Sequence, residues 1–106
     1  NGAWRALENP HVHSAPSNYA EEYYKRAQII GESGILEDEP DDRILTSMGF
    51  VFDFKEVNVG IIGTQNPSHL KNNVDTFNNS LPISKKTINE LCERYDKLGK
   101  DWEQRT

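Results

Sequence analysis

The chain has 106 residues, a formal net charge of −5 and a pI near 5.1, which suits one small domain with an acidic surface. Its basic residues are scattered, which excludes nucleic acid and anionic membranes as partners, because phosphate binding needs clustered Lys and Arg. No apolar run is long enough to cross a bilayer, and the single cysteine, Cys92, fits a reducing cytoplasm and is expected to be a packed residue rather than a nucleophile.

Residues 1–16 are expected to form a loop, because Asn-Gly, Asn-Pro and Ala-Pro pairs interrupt them. Ser17 is placed to cap a helix that ends near Gly31, a residue type favoured just after a helix. An apolar stripe at helical spacing supports this helix, and its members are Tyr19, Tyr23, Ala27 and Ile30. Residues 31–40 are predicted to be a polar, acidic connector.

A second helix is predicted to begin at Pro40, since Asp41 and Asp42 favour the positive end of a helix dipole. Its apolar face would comprise Ile44, Leu45, Met48, Val51 and Phe52. Residues 57–62 follow and are mostly β-branched and apolar, which predicts a buried strand. One strand cannot satisfy its own main-chain hydrogen bonds, so this prediction requires neighbouring strands.

Two more helices are predicted towards the end of the chain. The first covers residues 67–78, with Leu70, Val74 and Phe77 on its buried face. Ser84 is placed to cap the second. That last helix carries an apolar stripe of Ile88, Leu91, Tyr95, Leu98 and Trp102, with Gly99 as a candidate interruption.

The connection between the predicted strand and the third helix is the most informative part of the sequence. Gly63 permits a sharp turn, Asn66 is a favoured N-cap, and Pro67 stands at the first helical position, which tolerates proline. A helix N-terminus attracts phosphate through its N–H groups and its dipole. From these residues alone two interpretations stay open, an ordinary capped connection, which is favoured, and a phosphate site.

Two segments of the chain resemble the aldo/keto reductase family. Residues 61–73, Ile-Ile-Gly-Thr-Gln-Asn-Pro-Ser-His-Leu-Lys-Asn-Asn, resemble the last strand–turn–helix of these enzymes. Residues 1–4, Asn-Gly-Ala-Trp, and 16–24, Pro-Ser-Asn-Tyr-Ala-Glu-Glu-Tyr-Tyr, resemble a bacterial branch of the family just after its seventh barrel strand. Trp4 would either line the mouth of a substrate cavity or pack against the barrel rim.

The resemblance implies an α/β fold, namely the C-terminal, helix-rich portion of a TIM (β/α)8 barrel with residues 57–62 as its one clear strand. Such barrels need about 250 residues, so residues 1–106 would not form a complete domain. The catalytic Asp, Tyr, Lys and His of the family lie on earlier strands, so this chain alone is not expected to be active. The intact enzyme would transfer a hydride from NADPH to a small carbonyl substrate, in the cytoplasm.

The resemblance also assigns residues to the 2′-phosphate of NADP. Gly63 and Thr64 match the positions whose backbone and hydroxyl receive this phosphate. Gln65 and His69 stand where the family often has an arginine. A neutral glutamine gives no charge-assisted bidentate pair, so the preference for NADP over NAD is left open.

The remaining cofactor residues are assigned to the adenine and to the pyrophosphate of the dinucleotide. Asn73 matches an asparagine at the adenine, and Asn72 matches the adjacent position. His69 and Asn73 are four residues apart, which places them on one helix face. Asn1 and Gly2 match the loop that runs beside the pyrophosphate.

No metal is expected, because His11 and His13 lack a clear third ligand and the acidic residues 37–42 lack the spacing of a calcium loop. The rival interpretation is a non-enzymatic helical module that binds a protein partner through an exposed apolar side. If the chain folds alone, self-association is expected, because residues 57–62 would have unpaired strand edges.

Overall fold

The computed structural model describes residues 18–103, and this part of the chain folds into four α-helices. They are α1, Asn18–Gly31; α2, Arg43–Phe52; α3, Pro67–Asn79; and α4, Lys85–Leu98. None of the helices in this range is long and apolar enough to cross a membrane. The chain divides into two compact units. The described part of the first contains residues 18–35 and 91–103, and the second contains residues 36–90.

The predicted α/β fold is wrong for the described part of the chain. Between residues 18 and 103 there is no β-strand, and residues 57–62 form coil without a turn or bend. The β-branched run has the composition of a strand, but a strand exists only when a neighbouring chain segment accepts and donates its main-chain hydrogen bonds. The observed architecture is a small helical one, not a portion of a TIM barrel.

In the first unit, two buried arginines organise the packing around α1. The Arg26 side chain donates to the carboxylate of Glu22 at 3.1 Å. Its guanidinium also lies 5.2 Å from the ring centroid of Tyr23 and 5.4 Å from that of Trp102, which are cation–π distances. Trp102 lies beyond the last helix and packs edge-on against Tyr95.

The second arginine, Arg94 on α4, holds the chain that follows α1. Its Nη1 atom donates to the main-chain oxygens of Ile30 at 3.0 Å and Gly34 at 2.7 Å. Its Nη2 atom donates to the main-chain oxygen of Ile35 at 3.4 Å. Gly34 has a φ of 95°, a left-handed conformation that favours glycine. The turn after α1 is therefore fixed by one side chain.

In the second unit, α2 packs closely against Ile83. Asp42 caps this helix, because its side chain accepts a hydrogen bond from the main-chain N–H of Ile44 at 2.8 Å. A Cβ atom added to Gly49 would lie 2.5 Å from the Ile83 side chain, so only glycine allows this approach. Leu36, Met48 and Ile88 are also buried and belong to the apolar core of this unit.

The acidic connector is tied to the start of α4. Ser84 caps this helix, accepting from the main-chain N–H of Lys86 at 3.2 Å. Thr87 is fully buried and donates its hydroxyl proton to the main-chain oxygen of Glu37 at 2.7 Å. The Glu37 carboxylate lies 3.1 Å from the Lys86 ammonium, and this hydrogen bond, helped by the charges of Glu37 and Asp38, raises the pKa of Lys86.

Candidate functional site

The candidate site is the turn at residues 63–66 with the first turns of α3. Asn66 is the N-cap, and its Oδ1 accepts from the Ser68 main-chain N–H at 3.0 Å and from the Ser68 hydroxyl at 2.7 Å. Pro67 opens the helix, as predicted. The Thr64 hydroxyl oxygen accepts from the main-chain N–H of Asn66 at 3.2 Å, which fixes the approach to the helix. The predicted Asn66–Pro67 helix start is confirmed.

The main-chain N–H groups that remain free at this helix start are not the ones that the sequence predicts. The N–H groups of the first turn were expected to be free, but His69 and Leu70 both donate to the main-chain oxygen of Asn66. Pro67 has no N–H, and Ser68 is taken by the cap. Among the described residues, no acceptor faces the N–H groups of residues 63–65. The donors available to an anion therefore lie in the turn and precede the helix.

The surroundings of this turn suit an anion in charge and in space. Residues 63–66 are exposed, and a Cβ atom added to Gly63 would meet nothing within 4 Å. The first turn of α3 carries no acidic residue. Lys71 and Asp75 neutralise each other further along the helix, with 3.1 Å between the ammonium and the carboxylate. A phosphate at the turn would therefore meet N–H dipoles and no carboxylate from the first turn of α3.

Helix α3 turns a polar face inward. Asn73 is only 8% exposed, and its Nδ2 atom has no hydrogen-bond partner among the described residues. His69 lies on the same face and is half-buried. Asn72, one residue along, is exposed. The structure thus brings His69 and Asn73 together, as the spacing predicted, but the Asn73 amide lies beneath the surface and Asn72 lies on it.

The predicted buried face of α3 is wrong. Leu70, Val74 and Phe77 are each about half exposed, at 54%, 50% and 48%. Phe77 retains one aromatic contact, an edge-on packing against Phe52 with 4.9 Å between ring centroids. These three residues, named here the α3 stripe, form an apolar surface. An amphipathic pattern shows that two faces differ, but it does not show which neighbour is present to cover the apolar one.

Sequence reasoning missed the role of Phe52. A Cβ atom added to Gly60 would lie 2.7 Å from the Phe52 ring, so the coil at residues 57–62 rests on this aromatic side chain at its glycine. Only the glycine itself signalled a close approach. The roles of Arg26, Arg94 and Thr87 were missed as well, because a polar residue beside an apolar stripe gives no sign of being buried.

Several predicted site residues lie outside the described part of the chain. These are Asn1, Gly2, Trp4, His11, His13 and the cap residue Ser17. Within residues 18–103, no group of three His, Cys, Asp or Glu side chains is arranged to hold a metal ion. Cys92 is a half-buried free thiol.

Comparison with protein-family models, with curated proteins and with solved structures gives no match to this chain. The interpretation of the site therefore depends on its own residues.

Proposed function

We propose that this chain supplies the adenosine end of the cofactor site of an NADP-dependent aldo/keto reductase, with NAD as the competing cofactor. The observation that carries the proposal is the start of α3, where Asn66 and Pro67 begin the helix directly after an exposed turn whose main-chain N–H groups at residues 63–65 face no described acceptor. A 2′-phosphate held there would accept from these groups, and from the Thr64 hydroxyl once it gives up its 3.5 Å hydrogen bond to the main-chain oxygen of Asn66.

The chemical step belongs to residues that this chain does not contain. In the family that the sequence resembles, an upstream tyrosine protonates the carbonyl oxygen while the nicotinamide gives up its hydride. The contribution of this chain is to bind and orient the adenosine half, with the buried Asn73 amide as a donor for the adenine once the helix face opens. Such a reductase would work on small carbonyl compounds in the cytoplasm, where a free thiol such as Cys92 stays reduced.

The direct test is an NMR titration of the isotope-labelled chain with adenosine 2′,5′-bisphosphate and, separately, with 5′-AMP. We expect the amide signals of Gly63, Thr64 and Gln65 to shift with the bisphosphate and to shift much less with 5′-AMP. Equal shifts with both ligands, or shifts elsewhere only, would remove the 2′-phosphate assignment.

The variant Gln65→Arg sharpens this test. An arginine at position 65 adds a charge-assisted contact worth about 1.5–3 kcal/mol, so the bisphosphate should bind roughly tenfold more tightly or better. Binding of 5′-AMP should change little. The matched control is Lys100→Arg, which keeps a basic residue at an exposed position remote in sequence from the turn. An equal gain for both nucleotides would mean that residue 65 does not face the 2′-phosphate.

The second candidate function is a helical protein-interaction module, and the α3 stripe favours it. Leu70, Val74 and Phe77 are adjacent on one helix and expose about half of each side chain. Apolar side chains grouped in this way are typical of a surface that another protein covers. The substitution Leu70→Asp separates the two functions, because it should abolish protein binding by the stripe and leave the nucleotide-induced shifts at residues 63–65 in place.

A further inference from the structure

The main chain of residues 57–62 has hydrogen-bonding capacity that the described part of the molecule does not use. Val57 donates to the main-chain oxygen of Phe54 at 3.0 Å, which closes the turn after α2. From residue 58 to residue 63 no main-chain group is hydrogen-bonded to another described residue. A coil without bends and with free N–H and C=O groups is a template for strand pairing.

Three neighbouring positions of this segment differ in their surroundings. Gly60 rests on the Phe52 ring, so its side of the segment faces the protein. Val59 and Ile61 flank it and are 79% and 97% exposed. Successive side chains of an extended segment point to opposite sides, so these two residues share the outward side. Glycine at the centre also permits a second backbone to approach closely.

We propose that two copies of this chain associate by pairing residues 58–62 as antiparallel strands about a two-fold axis at Gly60. In this register Val59 of one copy lies opposite Ile61 of the other, and the reverse contact is its symmetry equivalent. A two-fold interface requires such self-complementarity. Asn58 correspondingly lies opposite Ile62. The proposal rests on different residues from the nucleotide site, so either can fail without the other.

Charge permits a second copy as the occupant at this segment. The chain carries a net charge of −5, which opposes association of like copies over most surfaces. Residues 57–65, Val-Asn-Val-Gly-Ile-Ile-Gly-Thr-Gln, contain no charged side chain, so two copies meet there without direct repulsion. Pairs of β-branched side chains directly opposite one another are among the stabilising cross-strand pairs.

Disulfide trapping tests the register. In a Cys92→Ala background, one isotope-labelled chain carries Val59→Cys and an unlabelled chain carries Ile61→Cys, and the two are mixed and oxidised. Directly opposite Cβ atoms are about 4.5–5.5 Å apart and diagonal ones about 7–8 Å, whereas a disulfide prefers about 3.5–4.5 Å. After correction for random pairing, we therefore expect the yield of the mixed disulfide to exceed the yield of each single-variant disulfide by about fivefold. Equal yields, or an excess of a single-variant disulfide, would overturn the register.

Sedimentation equilibrium tests the surface itself. The parent chain should be a dimer at high micromolar concentration, and Ile61→Lys should be a monomer with unchanged helical circular dichroism. Leu70→Lys adds the same charge on the α3 stripe and should remain a dimer. A monomeric parent would overturn the proposal. So would a result in which Leu70→Lys dissociates the dimer while Ile61→Lys does not, because the interface would then be the α3 stripe.

Discussion

Arg94 donates a 2.7 Å hydrogen bond to the main-chain oxygen of Gly34, although 60 residues separate the two in sequence. The same guanidinium reaches the main-chain oxygens of Ile30 and Ile35, so one side chain satisfies several carbonyl groups where α1 ends. Helix ends leave such carbonyls without partners, and here a side chain from another helix supplies the donors.

Replacing Arg94 with methionine should destabilise the first unit. Methionine keeps most of the apolar stem but removes every donor, and the expected loss is about 2 kcal/mol of unfolding free energy. The unfolding free energy of Arg94→Lys should lie between those of the parent and Arg94→Met, because an ammonium lacks the planar fork that reaches several carbonyls. Urea denaturation followed by circular dichroism measures the difference. Lys100→Met, at an exposed position, is the control. An equal loss of unfolding free energy in this variant would show that the effect of Arg94→Met does not come from its hydrogen bonds.

The contact between Gly49 and Ile83 reverses an ordinary helix rule. Alanine in place of glycine inside a helix normally adds about 1 kcal/mol of stability. At Gly49 the new Cβ would lie 2.5 Å from Ile83, so we expect Gly49→Ala to lower the unfolding free energy by about 1–3 kcal/mol. At Gly31 an added Cβ meets nothing within 4 Å, so Gly31→Ala should be neutral or mildly stabilising.

The double variant Gly49→Ala with Ile83→Ala tests whether the steric overlap is the cause. Removing the larger side chain makes room for the new Cβ, so the two substitutions should cost less together than the sum of their separate effects. A favourable coupling of about 1 kcal/mol is expected in a thermodynamic cycle. Simple additivity would show that Gly49→Ala acts through some other contact.

The starts of α3 and α4 were predictable because their signals are local, whereas α2 begins at Arg43 and not at the predicted Pro40. Asn66 and Pro67 begin α3, and Ser84 precedes α4, because a cap needs only residues two or three positions away. The absence of a strand at residues 57–62 was not predictable in the same way. The β-branched composition of this segment describes a side-chain preference, whereas a strand depends on a partner whose presence no local pattern reports. The α3 stripe is exposed for the same reason.

The Asn73 side chain is expected to lower the stability of the fold and to contribute to ligand binding. Its Nδ2 is buried and has no acceptor within residues 18–103, so Asn73→Leu should raise the unfolding free energy by about 1 kcal/mol by removing an unsatisfied polar group. The same change should weaken the binding of adenosine 2′,5′-bisphosphate if the Asn73 amide donates a hydrogen bond to the adenine. Asn72→Leu is the neighbouring control, and its exposed position predicts a stability change within about 0.5 kcal/mol. Loss of stability in Asn73→Leu would show that the amide has an acceptor after all.

The pair of Lys86 and Glu37 should contribute to stability only while the lysine is protonated. Its hydrogen bond to Glu37 raises the pKa of Lys86 in the folded chain. A raised lysine pKa gives a stabilisation that is complete below the unfolded value, about 10.4, and is lost as the pH rises through the folded value. The difference in Tm between parent and Lys86→Met should therefore be small, since the pair is solvent-screened, and should vanish in strong alkali. Glu37→Gln should reduce this pH dependence and leave the smaller part that is due to Asp38. A difference that persists above the folded pKa would assign the effect to packing.

The coil at residues 57–64 also determines where the chain is open to proteolysis. Proteases bind their substrates as extended, unpaired segments, and this one is exposed along most of its length. A single cut there would leave α2 on one fragment and α3 and α4 on the other. The packing of Ile83 against Gly49 and the hydrogen bond from Thr87 to Glu37 would still join the fragments. The nicked protein should therefore migrate as one species under native conditions and separate into two pieces only in denaturant.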